Sequence, residues 1–177
     1  INLVENLLSV TRLEDGTMNL NLQIELVDEV IEGALKHISR DHSDYELKFI
    51  HSEELLLAKM DSRLIIQVII NIVDNALKYT PKGSKTEIYA RKENQMIAIS
   101  IADNGKGIAD CAKEKIFDMF YTADSKVADS RRGLGLGLFL CKSIIQAHGG
   151  TIQVADNVPH GTIFTFTLQA EEVTLNE

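Results

Sequence analysis

The chain has 177 residues, 45% of them hydrophobic and 25% charged, which is enough apolar material for one domain with a sizeable core. A formal net charge of −8 excludes nucleic acid or an anionic membrane surface as the natural partner, because neutralising phosphates takes a basic face. Two cysteines, Cys111 and Cys141, exclude a disulfide scaffold and imply reduced thiols in a cytoplasmic setting.

Residues 1–15 place Leu3, Leu7 and Val10 on one helical face with Val4 and Leu8 beside it, and Gly16 supplies a stop. The pattern predicts a short amphipathic helix, either the end of a longer bundle or a helix lying on its own domain. It begins without a start Met, so the chain reads as part of a longer protein. A polar strand is expected over residues 19–23, then a helix capped by Asp28 that turns Val30, Ile31, Ala34, Leu35 and Ile38 inward. Residues 47–51 and 55–59 read as short strands. Asp61 is placed to cap the next helix, where Ile65, Val68, Ile69, Ile72, Val73 and Ala76 recur at i, i+3, i+4, i+7. Pro81 and Gly83 end it.

Residues 86–92 and 96–103 alternate as an antiparallel pair about Glu93-Asn94. Residues 116–120 predict a short helix with Phe117 as a core aromatic. Residues 121–132 are polar and end in glycines, which predicts a mobile loop. A helix over 136–147 closes at His148-Gly149-Gly150, and residues 151–155 and 162–168 form a last hairpin. Residues 171–177 read as a frayed acidic tail. Helices on one side of a mixed, mostly antiparallel sheet make the expected class α+β. No apolar run approaches the ~20 residues that would span a bilayer.

Three local patterns carry chemistry. Asn71, Asn75 and Lys78 fall on one helical stripe opposite the apolar face. An amide oxygen suits a Mg²⁺ already held by phosphate oxygens, although an isolated Asn-x-x-x-Asn more often lines a solvated face. Asp103 ends an apolar strand directly before Asn104, Gly105, Lys106 and Gly107. A carboxylate there can accept a hydrogen bond from the exocyclic amine of adenine, where guanine presents a carbonyl; the same residues equally suit an ordinary β-turn. Gly133, Gly135 and Gly137 open a helix, and such a turn offers unpaired N–H groups and a positive dipole end to an anion. A dinucleotide-binding turn is excluded because no strand immediately precedes these glycines, and a Walker A loop because no Gly-Lys-Ser/Thr follows. Lys126, Arg131 and Arg132 supply the cations that an acidic chain needs to hold a nucleotide, though each alone also reads as solubility charge. His37, His42, His51, His148 and His160 stand singly, and none is given a catalytic role.

Taken in order, residues 71–81, 103–107, 116–121 and 133–137 resemble the N, G1, F and G2 boxes of the ATP-binding domain of sensor histidine kinases, within a similarity over residues 20–170. The resemblance implies a Bergerat-type α/β sandwich, shared with gyrase, MutL and Hsp90 ATPases, with ATP and Mg²⁺ as its ligands. It implies that Asn75 ligates Mg²⁺, Asn71 lies near the γ-phosphate, Lys78 contacts phosphate and Tyr79 flanks the nucleotide. Asp103 would recognise adenine beside Gly105 and Gly107, with Ile108 against the ring and Thr162 supporting Asp103 through water. Phe120 would lie near the base of a lid. Gly133, Gly135, Leu136 and Gly137 would line the phosphates, with Lys126, Arg131 or Arg132 reaching toward them.

ATPases of this fold typically carry Glu where this chain has Asn71. An amide cannot accept a proton at neutral pH, which favours transfer to a protein histidine over hydrolysis. The implied division is the end of the second dimerisation helix over 1–16, the ATP-binding domain over 17–170 and a disordered tail over 171–177. The implied partners are a histidine-bearing dimerisation domain of the same protein and a response regulator. The whole would be a membrane-anchored homodimer with this domain in the cytoplasm. The phosphoacceptor setting, His-Glu/Asp-x-Arg/Lys-Thr-Pro, does not occur in this sequence. Within the family, residues 11–16 and the Asn157-x-Pro-x-Gly161-Thr162 turn look similar to the sensor kinases of a potassium-uptake system. An ATPase of the same fold and a non-catalytic nucleotide-sensing scaffold are the alternative readings.

Overall fold

The computed structural model describes residues 3–16, 19–38, 44–122 and 135–172. Helix α1 (Leu3–Glu14) is followed by β1 (Gln23–Leu26), α2 (Val27–Ile38), β2 (Glu46–Ile50), β3 (Leu57–Met60) and the long α3 (Ser62–Tyr79). The second half runs β4 (Lys85–Glu93), β5 (Met96–Asp103), α4 (Asp110–Lys113), α5 (Gly137–Ala147), β6 (Ile152–Asp156) and β7 (Thr162–Glu171). The strands form one sheet in the order β1-β3-β7-β5-β4-β2, with β6 on the same edge of β7 as β3. The β2–β4 pair is parallel and the other described pairs are antiparallel, which is the α+β class expected.

Period-two alternation decides which face is covered. Ile88 and Ala90 on β4, Ile97, Ile99 and Ile101 on β5, and Phe164, Phe166 and Leu168 on β7 share the buried face. Against it lie Val30, Ile31 and Ala34 of α2, Ile65, Ile69, Ile72 and Val73 of α3, and Leu140, Ile144 and Ile145 of α5. Each fully buried Ile of this kind contributes about 1.5–3 kcal/mol over its exposed state, so the α3 stripe anchors the layer. The Thr86–Asp103–Thr162 row lies on the same face, at the end of the apolar rows.

Several boundaries differ from the sequence expectation, each for a tertiary reason. The first strand begins at Gln23 rather than Asn19, because its partner β3 starts the register there, Gln23 against Met60. Helix α2 begins at Val27, whose N–H donates to Leu56 O at 3.0 Å, and Asp28 sits in the first turn rather than capping it. The Asp28 carboxylate instead lies 3.0 Å from His51 Nδ1. Asp61 has the extended backbone of an N-cap but makes no side-chain cap. Its carboxylate accepts from the Asn21 N–H at 3.1 Å and from Arg63 at 3.2 Å. Its own N–H donates to His148 Nε2 at 3.0 Å, while His148 Nδ1 lies 2.7 Å from Ile144 O. That bridge needs the proton on Nδ1. His148 therefore ties the end of α5 to the start of α3.

The helix expected over 116–120 falls earlier, at α4, and residues 114–120 form turns. Phe120 has φ +62, which no α-helix accommodates, and Phe117 packs edge-on against Phe164 at 6.2 Å. Strand β7 runs to Glu171, paired with Leu57, so the expected tail is strand at its first residue. Residues 173–177 lie outside the described residues, as do Lys126, Arg131, Arg132 and Gly133.

Candidate nucleotide site

The last two turns of α3 carry the first group of candidates. Asn71 and Asn75 are half-buried and Lys78 is exposed, so the stripe expected opposite the apolar face is only solvated at its end. Asn71 faces α5: a Cβ built on Gly137 would lie 4.0 Å from Asn71 Cγ. The neighbouring Cys141, fully buried in α5, sends its Sγ toward Val68 O at 3.7 Å, and burial pushes its thiol up to about 12. Asn71 Nδ2 is buried between these helices beside the Cys141 thiol, whose upward shift it opposes, and meets no other acceptor among the described residues. A buried donor whose nearest acceptor is a weak sulfur is under-satisfied, which leaves this amide hydrogen-bonding capacity for a ligand. Tyr79 is half-buried at the helix end, and Thr80 follows with its hydroxyl on Ala76 O at 2.8 Å.

Thr80 also closes on the second group. A Cβ at Gly105 would lie 2.5 Å from Thr80 Cγ2 and 3.0 Å from Asp103 Oδ1, so only glycine fits between them. Asp103 is 6% exposed and its Oδ1 accepts from the Gly105 N–H at 2.8 Å. Burial pushes its carboxyl above the ordinary range, against the opposing pull of the Gly105 and Thr162 N–H groups. Thr162, expected to support Asp103 through water, stands opposite it in the β5–β7 ladder and acts through its backbone. Ile108 is half-buried against the core edge.

The β6–β7 turn is moulded onto this loop, and the sequence reading gave its side chains no role. Asn157 Nδ2 donates to Asp103 O at 2.8 Å, and His160 Nδ1 lies 3.0 Å from Gly105 O. Gly161 has φ +115, and a Cβ there would sit 2.0 Å from Asp103 O. Nothing local in Asn157-Val158-Pro159-His160-Gly161 announces this, because its partners are more than fifty residues away.

The third group opens α5. Leu136 is the N-cap residue, 2% exposed, and makes no side-chain cap, so it leaves the first N–H groups of α5 open to another acceptor. Gly135 has φ +72 and meets Phe120 and Tyr121 so closely that a Cβ would lie 2.5 Å from Tyr121 O. Phe120 N–H donates to Gly135 O at 3.2 Å, and the Phe120 side chain is 58% exposed. The structure thus brings Asn71 to Gly137, Asp103 to Gly105, Thr80 and Thr162, and Phe120 to Gly135.

These groups fit a purine nucleotide and its metal. An acceptor-only carboxylate, an under-satisfied buried amide, a cradle closed to any side chain and a helix start that its cap residue leaves open are complementary to an amine, phosphate oxygens and close backbone approach. No cluster of three or more His, Cys, Asp or Glu able to hold a metal occurs among the described residues. A metal here would rely on phosphate oxygens and amide ligands. A separate cavity of about 410 Å³, lined by Leu8, Arg12, Arg63, Ile66 and Ile70 among others, includes none of these groups.

With fold and site in view, the class is defined: residues 60–172 match the histidine kinase-, DNA gyrase B-, and HSP90-like ATPases, and the chain belongs to that family. The chain is 42% identical over 171 residues to the Sensor protein KdpD of Clostridium acetobutylicum; the match covers 97% of the chain and 19% of that protein. Among solved structures, the catalytic domain of histidine kinase ThkA is 28% identical with a TM-score of 0.73, over 84% of this chain and 95% of that one. ThkA in complex with the response regulator protein TrrA is 25% identical with a TM-score of 0.75, over 96% and 48%.

Proposed function

We propose that this domain binds Mg-ATP and transfers the γ-phosphoryl group to a histidine on a dimerisation domain of the same protein. The observation that carries it is Asn71, a buried amide at the junction of α3 and α5, beside the opening of α5, with no acceptor but the weak Cys141 sulfur among the described residues. An amide donates to phosphate but cannot deprotonate water, so the site lacks the base that hydrolysis needs at that position. The matches to KdpD and ThkA support the kinase reading over the ATPase and scaffold readings.

Asp103 accepts the adenine amine, Ile108 and Tyr79 flank the base, and Gly105 and Gly107 let the backbone approach it. Asn71 donates toward the terminal phosphate, and the α5 N–H groups opened by Gly135, Leu136 and Gly137 receive phosphate oxygens. The family resemblance assigns Gly133 to the phosphates as well, and Phe120 lies beside Gly135. Asn75 holds Mg²⁺, which when bound neutralises phosphate charge. Lys78 and a cation among Lys126, Arg131 and Arg132 add to that neutralisation. Positioning and charge account for most of what a protein contributes to this chemistry.

Helix α1 belongs, in this reading, to the end of the second dimerisation helix, whose apolar Leu7 and Leu8 are 47% and 51% exposed. A response regulator receives the phosphoryl group. The whole protein is membrane-anchored with this domain in the cytoplasm; no described helix here is long and apolar enough to cross a membrane. The identity to KdpD supports placing it in the potassium-uptake sensor branch.

Calorimetric titration of the chain with Mg-ATP, with released phosphate assayed in the same cell, tests the reading. Saturable binding with negligible phosphate release is expected; steady hydrolysis would establish the ATPase reading and absent binding the scaffold. Asn75→Ala is expected to cut phosphoryl transfer to a separately supplied histidine-bearing domain at least 100-fold, since losing charge stabilisation at a transferring phosphoryl group costs about 3 kcal/mol or more. Transfer at the wild-type rate would remove Asn75 from the metal.

A further inference from the structure

Cys141 is a buried thiol that the proposed chemistry does not use. It stands one turn after Gly137 on α5, so the two share the face that packs on α3. Val68 and Asn71, three apart on α3, present the opposing edge. Cys141 Sγ approaches Val68 O at 3.7 Å, and a Cβ on Gly137 would lie 4.0 Å from Asn71 Cγ. Burial raises the thiol to about 12, so it stays protonated and serves neither as nucleophile nor as base. With its one proton turned to Val68 O, the sulfur is left to accept, and what meets it is Asn71 Nδ2. Packing alone asks for no sulfur here, because the α5 neighbours Leu140, Ile144 and Ile145 are fully buried hydrocarbon.

Rotation of an asparagine amide about χ2 is broad and roughly two-fold, so an unheld amide samples both orientations. Gly137 has no side chain to limit it from the facing helix. We infer that Cys141 is a positioning residue for Asn71, its sulfur taking one Nδ2 hydrogen and fixing the amide plane before nucleotide arrives. The rest of the amide then stays available at the opening of α5. The inference rests on the reading of Asn71 as a nucleotide contact. A weak acceptor suits the task, since it orients the group without competing with phosphate for it.

Cys141→Ala and Cys141→Ser test it, each alone and combined with Asn71→Ala, by calorimetric titration with Mg-ATP beside thermal melts. Cys141→Ala, which removes the acceptor, is expected to weaken Mg-ATP binding about three- to tenfold. Cys141→Ser keeps a donor for Val68 O and an acceptor for Nδ2, and should stay within about twofold of the parent chain. In the Asn71→Ala background, weakened but still held by the adenine contacts, Cys141→Ala should change affinity less than about 1.5-fold, since no amide remains to orient. Cys141→Val, which fills the space without an acceptor, takes the place of Ala if that protein does not fold. Parent-like affinity in Cys141→Ala overturns the inference and leaves the proposed function standing. An equal loss in both backgrounds also overturns it, because the thiol would then act through helix packing. An Asn71→Ala chain that binds Mg-ATP as tightly as the parent removes Asn71 from the nucleotide and defeats both readings together.

Discussion

Replacing Asp103 with Asn is expected to make the nucleotide-free protein more stable at neutral pH while weakening Mg-ATP binding roughly 10- to 100-fold. The two effects have one cause. Burial raises the Asp103 carboxyl above its ordinary value of 3.8, so ionising it in the fold is unfavourable relative to the unfolded chain. The sign follows: the stabilising contribution of the protonated form is complete below that ordinary value and is lost as pH rises through the raised folded value. Above that folded value the ionised group is destabilising. Asn keeps an acceptor for the Gly105 N–H, which Asp103 Oδ1 engages at 2.8 Å, and removes the buried charge. It also places an amide N–H where the adenine amine would donate, so recognition fails. Melts of both proteins from pH 4 to 8, with titrations at pH 7, check this. A variant that melts lower at neutral pH, or binds ATP as well as the parent, contradicts the assignment.

Gly161→Ala is expected to destabilise the domain by about 2–5 kcal/mol and to abolish measurable ATP binding even in the fraction that remains folded. At φ +115 an L side chain is strained, and its Cβ would lie 2.0 Å from Asp103 O and 2.9 Å from Asn104 Cα. Relief requires the 103–107 loop and the β6–β7 turn to separate, which breaks the Asn157–Asp103 and His160–Gly105 contacts together. Gly150→Ala is the control. Its Cβ would sit 1.9 Å from Thr167 O, so it should destabilise comparably, but at the other end of α5 from the site. Denaturant unfolding with ATP titration of each folded variant separates them. Equal ATP affinity in the two would show that the β6–β7 turn does not shape the site.

The neck between Phe120–Tyr121 and Gly135 places the two ends of the glycine-rich segment in contact, and α5 starts directly after it. The opening N–H groups of α5, the Asn71 amide and the Asp103 loop are therefore held by the same packed layer of α3, α5 and β5. A side chain lost from that layer would move several site groups at once.

The sequence by itself determined what local chemistry can write. The α3 stripe from Ile65 to Ala76 shows its buried face at helical spacing, and the β4–β5 pair shows its turn at Asn94, which takes φ +56. The ordered boxes revealed the family and the candidates Asn71, Asp103 and the α5 glycines, because those signals are contiguous. Tertiary structure alone decided the rest. Whether Asp61 caps α3 depended on Asn21 and Arg63, and where α2 starts depended on Leu56. The partners of Asn157 and His160 lie 54 and 55 residues away, and Thr86 meets Asp103 only through strand register. A hydrogen bond or a steric limit between such distant residues leaves no periodicity or composition to read, since it exists only once the sheet has set which positions face each other.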